Sequence, residues 1–367
     1  VFLFNLAKSI LIYFTLKFCI HKLLNYMKVI VTGGAGYIGS HTIVDLLNHG
    51  YEVVCIDNLY RSKDYSLNAI EQITHQKINF YKIDLCNQKE VNEVFKAHHD
   101  AIGVIHFAAL KSVPESVENP LQYYSNNLES LLNVLHAINE VEIPNFVFSS
   151  SCSVYGNAET LPVTEQTPLK VAESPYAHTK QIGEEIIRNF SISNKKHASI
   201  LLRYFNPIGA HPSGLIGEVP LDKPNNLVPF ITQTAIGKLP QLTVFGSDYD
   251  TRDGSNIRDY IHVSDIAHAH TLALQYLIEN KNTSNIDIFN LGTGNGVSVL
   301  EAIQAFEKVT SLKLNYKIGP RRAGDVVAVY ADNSKAKSLL NWTCKFSLED
   351  AMLHAWNWEL KMKELAW

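Results

Sequence analysis

The amino-acid sequence predicts a doubly wound parallel α/β sheet followed by a smaller, loop-rich α/β domain. From Lys28 onward, short β-branched runs alternate with amphipathic stretches, which is the pattern of βαβ units on a parallel sheet. Beyond Asn206 the pattern changes, because prolines and glycines interrupt regular elements between Pro207 and Pro240. The chain has 367 residues, 46% of them hydrophobic, which is enough apolar material for a core of this size.

The elements of the predicted sheet follow one another along the first two thirds of the chain. Short apolar runs predict strands at Lys28 to Val31, Glu52 to Ile56, Ile78 to Ile83, Gly103 to Phe107, Phe146 to Ser149 and Ser199 to Tyr204. Apolar residues at helical spacing predict helices at Tyr37 to Asn48, Glu118 to Asn139 and Ser174 to Phe190. We expect residues 27–206 to form the first domain and 207–367 the second, with residues near 257–293 returning to the first.

The first 26 residues are set apart from this fold. Phe2 to Ile20 is largely apolar, but Lys8 and Lys17 interrupt it, and Met27 directly precedes the first strand. A signal peptide carries its charge before the apolar run and ends in small residues, and a membrane anchor of this length does not carry two lysines. We therefore expect residues 1–26 to be an upstream extension and expect no membrane partner, with an anchor and a signal peptide as the alternatives.

Charge and cysteine usage exclude several classes of protein. The net charge is −4, with 32 basic and 36 acidic residues spread along the chain, so no basic stripe predicts a nucleic-acid partner. The five cysteines are odd in number and widely spaced, without C-x-x-C pairs, which fits neither a disulfide framework nor a zinc site. The sequence therefore predicts no metal site and favours a reducing, cytoplasmic compartment.

A glycine-rich turn follows the first predicted strand. Gly33, Gly36 and Gly39 form a G-x-x-G-x-x-G pattern that opens a helix, where backbone N–H groups can approach a pyrophosphate. Asp57 ends the second strand about 20 residues later, where a carboxylate can accept hydrogen bonds from an adenosine ribose. The pair predicts a Rossmann-type dinucleotide site. The carboxylate would repel a 2′-phosphate and so favours NAD over NADP, whereas nearby Arg61 weakens that preference.

The third and fourth predicted strands end at the same edge of the predicted sheet. Asp84 ends the third strand, and Phe107 to Lys111 ends the fourth. Because ligands of open α/β sheets bind at the carboxyl ends of the strands, these residues are candidates for the same site.

Tyr176 and Lys180 form the candidate chemical group. They lie four residues apart on a predicted helix and so share one face, and a serine-rich strand end at Ser149 to Ser151 precedes them. Lowering the pKa of a free tyrosine from about 10 to near 7 requires about 4 kcal/mol. One positive charge about 5 Å away supplies roughly 3 kcal/mol at an effective dielectric of about 20. Lys180 can therefore lower the pKa of Tyr176 to near 7 only together with the positive charge of an oxidised nicotinamide.

Several segments together resemble the extended short-chain dehydrogenase/reductase family, and within it the UDP-hexose 4-epimerases. The resemblance extends from Met27 to about Trp358, and the segments that carry it are VTGGAGYIGSH, FSSSCSVYG, SPYAHTK, LRYFNPIGAHPSG, PNNLVPF, IRDYIHVSDIA and RRAGD. The resemblance implies a tightly held NAD contacted, besides Gly33, Gly36 and Gly39, by Tyr37, Ile38, Asp57, Asn58, Asp84, Leu85, Phe107, Ala108, Lys111, Asn126, Ser151, Tyr176, Lys180 and Phe205. It also implies a homodimer formed through helices such as Glu118 to Asn139.

For a UDP-hexose substrate, the resemblance implies a second set of residues. They are Ser151, Ser153, Tyr176, Asn206, Asn226, Leu227, Phe245, Arg258, Arg322, Asp325 and Val329. Their types suit these roles, because arginines are permanently charged donors for a diphosphate and asparagine amides can bind phosphate or uracil edges. Val329 occupies the place where glucose-restricted members of the family carry a tyrosine, so the resemblance implies room for an N-acetyl group, unless Tyr330 or a shifted loop fills the space or Val329 merely packs in the core.

The resulting expectation is inversion at C4 of the hexose, with Tyr176 as the base, Ser151 as a bridge for the proton and Lys180 as the tuning charge. The alternative enzyme is a nucleotide-sugar 4,6-dehydratase or a decarboxylating relative that modifies UDP-sugars. Dehydratases in this family carry an Asp-Glu pair after the serine or threonine, where this chain has Cys152 and Ser153. A dinucleotide sensor without activity is the alternative of another class. A sensor could dispense with Tyr176 and Lys180, which are both present.

Overall fold

The computed structural model describes residues 27–220, 224–321 and 326–365. The predicted extension, residues 1–26, lies outside the described residues. In the part of the chain that is described, none of the helices is both long and apolar enough to cross a membrane.

The described residues form a Rossmann-like α/β fold. The strands are β1 (Lys28–Thr32), β2 (Glu52–Ile56), β3 (Asn79–Tyr81), β4 (Gly103–His106), β5 (Asn145–Ser151), β6 (Ala198–Tyr204), β7 (Asn206–Ile208), β8 (Leu242–Phe245), β9 (Ile257–Arg258), β10 (Tyr260–His262), β11 (Ile286–Leu291), β12 (Val297–Ser298), β13 (Tyr316–Gly319) and β14 (Ala328–Val329). The helices are α1 (Tyr37–Asn48), α2 (Tyr65–Thr74), α3 (Gln88–Ala97), α4 (Val113–Glu118), α5 (Pro120–Val141), α6 (Pro175–Ser193), α7 (Leu227–Ala235), α8 (Val263–Ile278), α9 (Val299–Thr310), α10 (Ser334–Leu339) and α11 (Leu348–Glu364).

The main sheet has seven parallel strands in the order β11-β6-β5-β4-β1-β2-β3. All six predicted strands belong to it, with ends that differ by one or two residues, and the fold class predicted from the sequence is confirmed. The seventh strand, β11, was not among the predicted strands. It pairs with β6 in parallel register, so this edge of the sheet is built from a segment far along the chain.

Alternating side chains of the strands divide the core between the two faces of the sheet. In β1, Val29 and Val31 pack with α1, α2 and α8 on one face, whereas Ile30 packs with α3, α5 and α6 on the other. All three side chains are fully buried. A strand buried on both faces reads as a continuous apolar run, which explains why the periodicity of these segments predicted a parallel sheet.

The remaining strands form small sheets around a separate cluster of buried side chains. β7 pairs with β10, β8 with β13, and β9 with both β12 and β14. This part contains more regular structure than the prolines suggested. Pro229 lies in the first turn of α7, where a missing backbone N–H costs nothing because the first helical N–H groups have no intrahelical acceptor.

Candidate active site

The glycine turn brings backbone close to backbone at the carboxyl end of β1. Gly33 has φ +69°, and a Cβ atom there would lie 2.6 Å from the backbone nitrogen of Ala108. Helix α1 begins directly after Gly36, and no side chain among the described residues caps its first N–H groups. These N–H groups and the helix dipole suit an anion, so the turn fits a pyrophosphate.

Asp57 is anchored at the end of β2. Its carboxylate accepts hydrogen bonds from the backbone N–H groups of Ala35 (3.1 Å) and Leu59 (2.8 Å) and from the hydroxyl of Ser62 (2.8 Å). Burial raises the pKa of Asp57 above its ordinary value, although these three donors oppose that effect. The carboxylate is held in a defined position against the glycine turn and retains acceptor capacity toward the cavity.

Arg61, which weakened the predicted preference for NAD, is paired with a carboxylate. Its guanidinium donates to Glu115 at the start of α4 and also lies over the ring of Tyr60. A 2′-phosphate would have to compete with Glu115 for this guanidinium. The arrangement therefore favours the cofactor without that phosphate.

A cavity of about 420 Å³ opens at the carboxyl edge of the sheet, where the strand order changes direction between β1 and β4. Every residue that the sequence assigns to the cofactor lines this cavity: Gly33, Gly36, Tyr37, Ile38, Gly39, Asp57, Asn58, Asp84, Leu85, Phe107, Ala108, Lys111, Asn126, Ser151, Tyr176, Lys180 and Phe205. Of the residues assigned to the sugar nucleotide alone, Ser153, Asn206 and Asn226 line it as well. Tertiary folding thus gathers residues spread over almost 200 positions of sequence.

Tyr176, Ser151 and Lys180 meet on one wall of this cavity. Helix α6 begins at Pro175, capped by the hydroxyl of Ser174, so Tyr176 lies in its first turn beside the end of β5. Burial raises the pKa of Tyr176 to about 12, and a hydrogen bond with Ser151 acts in the opposite direction. The chain by itself therefore keeps Tyr176 protonated at neutral pH, so the positive charge of an oxidised nicotinamide is needed beside that of Lys180.

Lys180 is buried one helical turn farther along α6. Its ammonium donates to the carbonyl oxygen of Ser149 at 2.7 Å and lies 4.7 Å from the centre of the Phe148 ring. Burial lowers the pKa of Lys180 to about 8, and the nearby carboxylate of Glu184 opposes that shift. Lys180 is thus a fixed positive charge near neutral pH, held by the backbone of β5.

A buried ion pair lies directly behind this wall. The guanidinium of Arg203 on β6 donates to both carboxylate oxygens of Glu184, one of them at 2.8 Å, and to the hydroxyl of Tyr155 at 3.0 Å. The hydroxyl of Ser150 also donates to Glu184. This network fastens α6 to β5 and β6, and so fixes the relative positions of Tyr176, Lys180 and the serine-rich strand end.

Glu218 connects the two sides of the cavity. Its carboxylate accepts hydrogen bonds from Lys111 after β4 (2.8 Å) and from the side-chain amide of Asn226 before α7 (2.7 Å). The backbone carbonyl of Glu218 accepts a hydrogen bond from the indole of Trp358. Glu218, Trp358 and Tyr204 also line the cavity and were not predicted from the sequence, because single polar or aromatic residues in this part of the chain carry no local pattern.

Four predicted substrate residues do not line this cavity. Leu227 begins α7, Phe245 ends β8, and Arg258 and Val329 pair in parallel register on β9 and β14. Arg258 donates to the backbone carbonyls of Ile257 and Val326, at 2.8 Å each. Arg322 and Asp325 lie outside the described residues.

Comparison with known proteins agrees with this geometry. Residues 30–354 match the family model described as GDP-mannose 4,6 dehydratase. The UDP-glucose 4-epimerase of Bacillus subtilis is 48% identical over 333 residues, which cover 91% of this chain and 97% of the relative.

Two solved structures extend the comparison to the fold. The UDP-glucose 4-epimerase of Stenotrophomonas maltophila, solved with NAD and formylated UDP-arabinopyranose, has a TM-score of 0.89 at 42% identity, over 92% of this chain and 99% of its own. The UDP-Glc/GlcNAc 4-epimerase of Campylobacter jejuni has a TM-score of 0.80 at 36% identity, over 91% and 99%. The chain therefore belongs to the extended short-chain dehydrogenase/reductases that the GDP-mannose 4,6 dehydratase model describes, and within them to the UDP-glucose 4-epimerase family.

Proposed function

We propose that this protein is a UDP-glucose 4-epimerase that interconverts UDP-glucose and UDP-galactose through a 4-keto intermediate, with NAD as its bound cofactor. One observation carries the proposal: Tyr176, Ser151 and Lys180 meet on the wall of a cavity that also contains the glycine turn and Asp57. The identity of 48% to an epimerase over nearly the full length of both chains supports the choice of reaction.

The residues of the cavity fit NAD. The turn at Gly33 and Gly36 presents backbone N–H groups to a pyrophosphate, and Asp57 presents a carboxylate to the ribose hydroxyls. The pairing of Arg61 with Glu115 supports NAD rather than its 2′-phosphorylated form. When bound, NAD supplies reversible acceptance of a hydride from the sugar carbon.

The chain's own residues transfer the proton and orient the sugar. Tyr176, as a phenolate, removes the proton from the 4-hydroxyl, and the Ser151 hydroxyl bridges the sugar oxygen and Tyr176. Lys180 provides a positive charge held in place by Ser149. The 4-keto sugar then turns about its diphosphate and presents its other face, and Tyr176 returns the proton to the C4 oxygen as C4 regains the hydride with inverted configuration. Such a cycle requires that the enzyme bind the nucleotide tightly and the hexose weakly.

The geometry disfavours the alternative reaction of a 4,6-dehydratase. Elimination of water across C5 and C6 requires an acid and a base beside the sugar. The positions after Ser151 hold Cys152 and Ser153, and burial raises the pKa of the Cys152 thiol to about 12, so near neutral pH it stays a thiol that is a very weak acid and no base. A sensor without activity has no need of the buried network that holds Tyr176 and Lys180, so the epimerase remains the better account.

We further propose that the enzyme accepts both plain and N-acetylated UDP-hexoses. Val329 and Cys152 both pack against a buried cluster that contains Phe205, and Phe205 and Cys152 line the cavity. The ring of Tyr330 lies beside Gly296, 3.0 Å from where a Cβ atom on that glycine would be, and does not line the cavity. These placements support the space that the small side chain of Val329 implies.

We propose the domain division 27–206 and 207–367, with the segment near 257–293 joined to the first domain. Pairing of β11 with β6 and packing of α8 beside α1 support it. The substrate residues Leu227, Phe245, Arg322 and Asp325 are proposed to act on the UDP moiety from the second domain, and Arg258 is proposed to act on it from the start of the segment that joins the first domain.

A homodimer formed through α4 and α5 is proposed on the basis of exposed apolar side chains. Leu121 is 81% exposed and Val117 61% exposed, and Val113 and Leu132 are exposed on the same two helices. Apolar side chains clustered on a surface mark interaction sites.

A cytoplasmic location is proposed because the described cysteines Cys55, Cys86, Cys152 and Cys344 are all free.

The proposed reaction is tested by incubating the purified protein with UDP-galactose, without added NAD, and identifying the sugars released by mild acid hydrolysis. Conversion to UDP-glucose supports the proposal. A 4-keto-6-deoxy sugar as the product would establish a dehydratase, and an unchanged sugar with bound NAD would support the sensor. A parallel incubation with UDP-N-acetylgalactosamine tests the substrate range.

A further inference from the structure

A cluster of two histidines and one aspartate lies away from the cavity, where the helices α1 and α8 pack together. Asp45 and His49 are at the C-terminal end of α1, and His268 is in the first half of α8. The carboxylate oxygen Oδ2 of Asp45 is 3.2 Å from Nδ1 of His268 and 3.4 Å from Nδ1 of His49. The two imidazole rings stack with their centres 5.3 Å apart.

The three side chains present ligand atoms toward one another and toward solvent. One ligand atom from each residue lies within 4.8 Å of the other two. Ligands of one tetrahedral Zn²⁺ ion, at about 2.0–2.2 Å from the metal, lie roughly 3.3 Å from one another, so small side-chain rotations bring all three onto one ion. The side chains are 19%, 22% and 41% exposed for His268, Asp45 and His49, which leaves an entry path and room for water as a fourth ligand.

The donor set selects the class of ion. Two imidazole nitrogens and one carboxylate suit Zn²⁺, Co²⁺ or Ni²⁺, whereas Mg²⁺ and Ca²⁺ prefer oxygen ligands alone. Existing hydrogen bonds oppose binding, because Nδ1 of His268 is bonded to Oδ2 of Asp45, and Nδ1 of His49 is also 2.7 Å from the backbone carbonyl oxygen of Asp45, to which it can donate. A metal bound through these nitrogens must replace those hydrogen bonds, which places the expected affinity below that of a closed structural zinc site.

We propose that Asp45, His49 and His268 form a binding site for one divalent transition-metal ion that joins α1 to α8. Asp45 and His268 are separated by 223 positions, so no local spacing motif in the sequence could reveal the site. Helix α1 starts at the glycine turn and α8 lies on the same face of the sheet, so the ion fastens two helices that cover one side of the core. The site contributes to stability and takes no part in the proposed reaction.

The proposal is tested with the full chain, treated with a chelator and then titrated with Zn²⁺ against a chromophoric competitor. We expect one equivalent of Zn²⁺ to bind and to raise the midpoint of thermal unfolding. In His268→Gln and in Asp45→Asn the affinity should fall at least about tenfold, as expected when one of three ligands is lost. The control His99→Gln removes an exposed histidine elsewhere and should bind Zn²⁺ like the unaltered chain.

Co²⁺ provides a second measurement that does not depend on stability. A visible absorption band of the intensity typical of four-coordinate Co²⁺ should appear in the unaltered chain and in His99→Gln, and should be lost in His268→Gln. Equal Zn²⁺ affinity in His268→Gln and the unaltered chain, or no binding to either, would overturn the proposal. All four proteins should keep the same turnover of UDP-galactose, so a failure of the metal site is distinguishable from a failure of the proposed function.

Discussion

The two sides of the cavity are built in different ways. On the sheet side, the predicted residues stand at or just after the ends of parallel strands and in the first two turns of α1, α5 and α6, and all of them line one cavity. On the other side, Asn206 and Asn226 reach the cavity, whereas Arg258 and Val329 stand on two-residue strands beside it. The two sides meet at the carboxylate of Glu218, which is bound to Lys111 and Asn226.

The two sides of the cavity differ because different kinds of contact hold their residues in position. Backbone hydrogen bonds of a buried parallel sheet set the strand ends, and the Arg203–Glu184 pair locks α6 onto them. The second side depends on short elements and on side-chain contacts such as that of Glu218. The sheet side, which is fixed by the strands and the buried ion pair, suits a tightly held cofactor. The second side, which is assembled from short elements, suits a substrate that must enter, turn and leave.

The sheet side should lose most stability when its buried ion pair is broken. Glu184→Gln leaves the guanidinium of Arg203 buried without a counter-charge, and we expect the free energy of unfolding to fall by about 3–5 kcal/mol. Urea unfolding measures this change. The matched control is Glu185→Gln, the exposed neighbour on the same helix, which should change stability by less than about 0.5 kcal/mol. Equal effects of the two substitutions would show that the pair does not fasten α6.

The chemistry should depend on one hydroxyl of the sheet side. Tyr176→Phe removes the proposed base without changing the shape of the wall, so turnover should fall at least about 100-fold while NAD remains bound. Steady-state kinetics and the absorbance of cofactor released on denaturation measure the two quantities. Tyr204→Phe, which removes a neighbouring hydroxyl that contacts Ser149, should cost much less. Near-normal turnover of the Tyr176→Phe enzyme would eliminate the proposed mechanism.

The second side should control substrate range rather than chemistry. Val329→Tyr narrows the space behind Phe205 and Cys152, so turnover of UDP-N-acetylgalactosamine should fall about 50-fold, with a much smaller effect on UDP-galactose. The control Val327→Tyr alters an exposed residue two positions earlier and should leave the ratio of the two activities unchanged. If the unaltered enzyme has no activity on the N-acetylated sugar, the space inferred at Val329 is not used.

A buried histidine makes the second side sensitive to acid. Burial is the largest cause that lowers the pKa of His262 from 6.5 to about 3, and His354 and His211 add to it while Asp350 opposes it. Between these two pKa values the unfolded chain binds a proton that the folded chain does not, so the contribution of His262 to stability is complete above pH 6.5 and is lost as the pH falls toward 3. From pH 7 to pH 5 this loss is about 2 kcal/mol.

His262→Asn is the test, because asparagine can still accept the N–H of Ser264 at the start of α8. Its stability should decrease less between pH 7 and pH 5 than that of the unaltered chain, as measured by urea unfolding at the two pH values. His99→Asn serves as the control with an exposed histidine and should follow the unaltered chain. Parallel behaviour of His262→Asn and the unaltered chain would show that His262 does not make this region acid-sensitive.

The sequence by itself determined the elements whose signals are local. The six predicted strands are continuous apolar runs, the glycine turn marks the start of α1, and the spacing of Tyr176 and Lys180 places both on one face of α6. Each of these signals depends on neighbours a few residues apart, and such signals survive without knowledge of the tertiary structure. The order of motifs then pointed to the family and to the residues that line the cavity.

Only the tertiary structure decided what depends on distant contacts. It added β11 as the seventh strand, paired Arg61 with Glu115, and joined Lys111 to Asn226 through Glu218. It also increased the shift that Tyr176 needs in order to act as a base, because burial, which no local pattern reveals, raises its pKa to about 12. Burial and pairing over long separations are properties of the packed chain, and for that physical reason the sequence could name the reacting groups but not their electrostatic state.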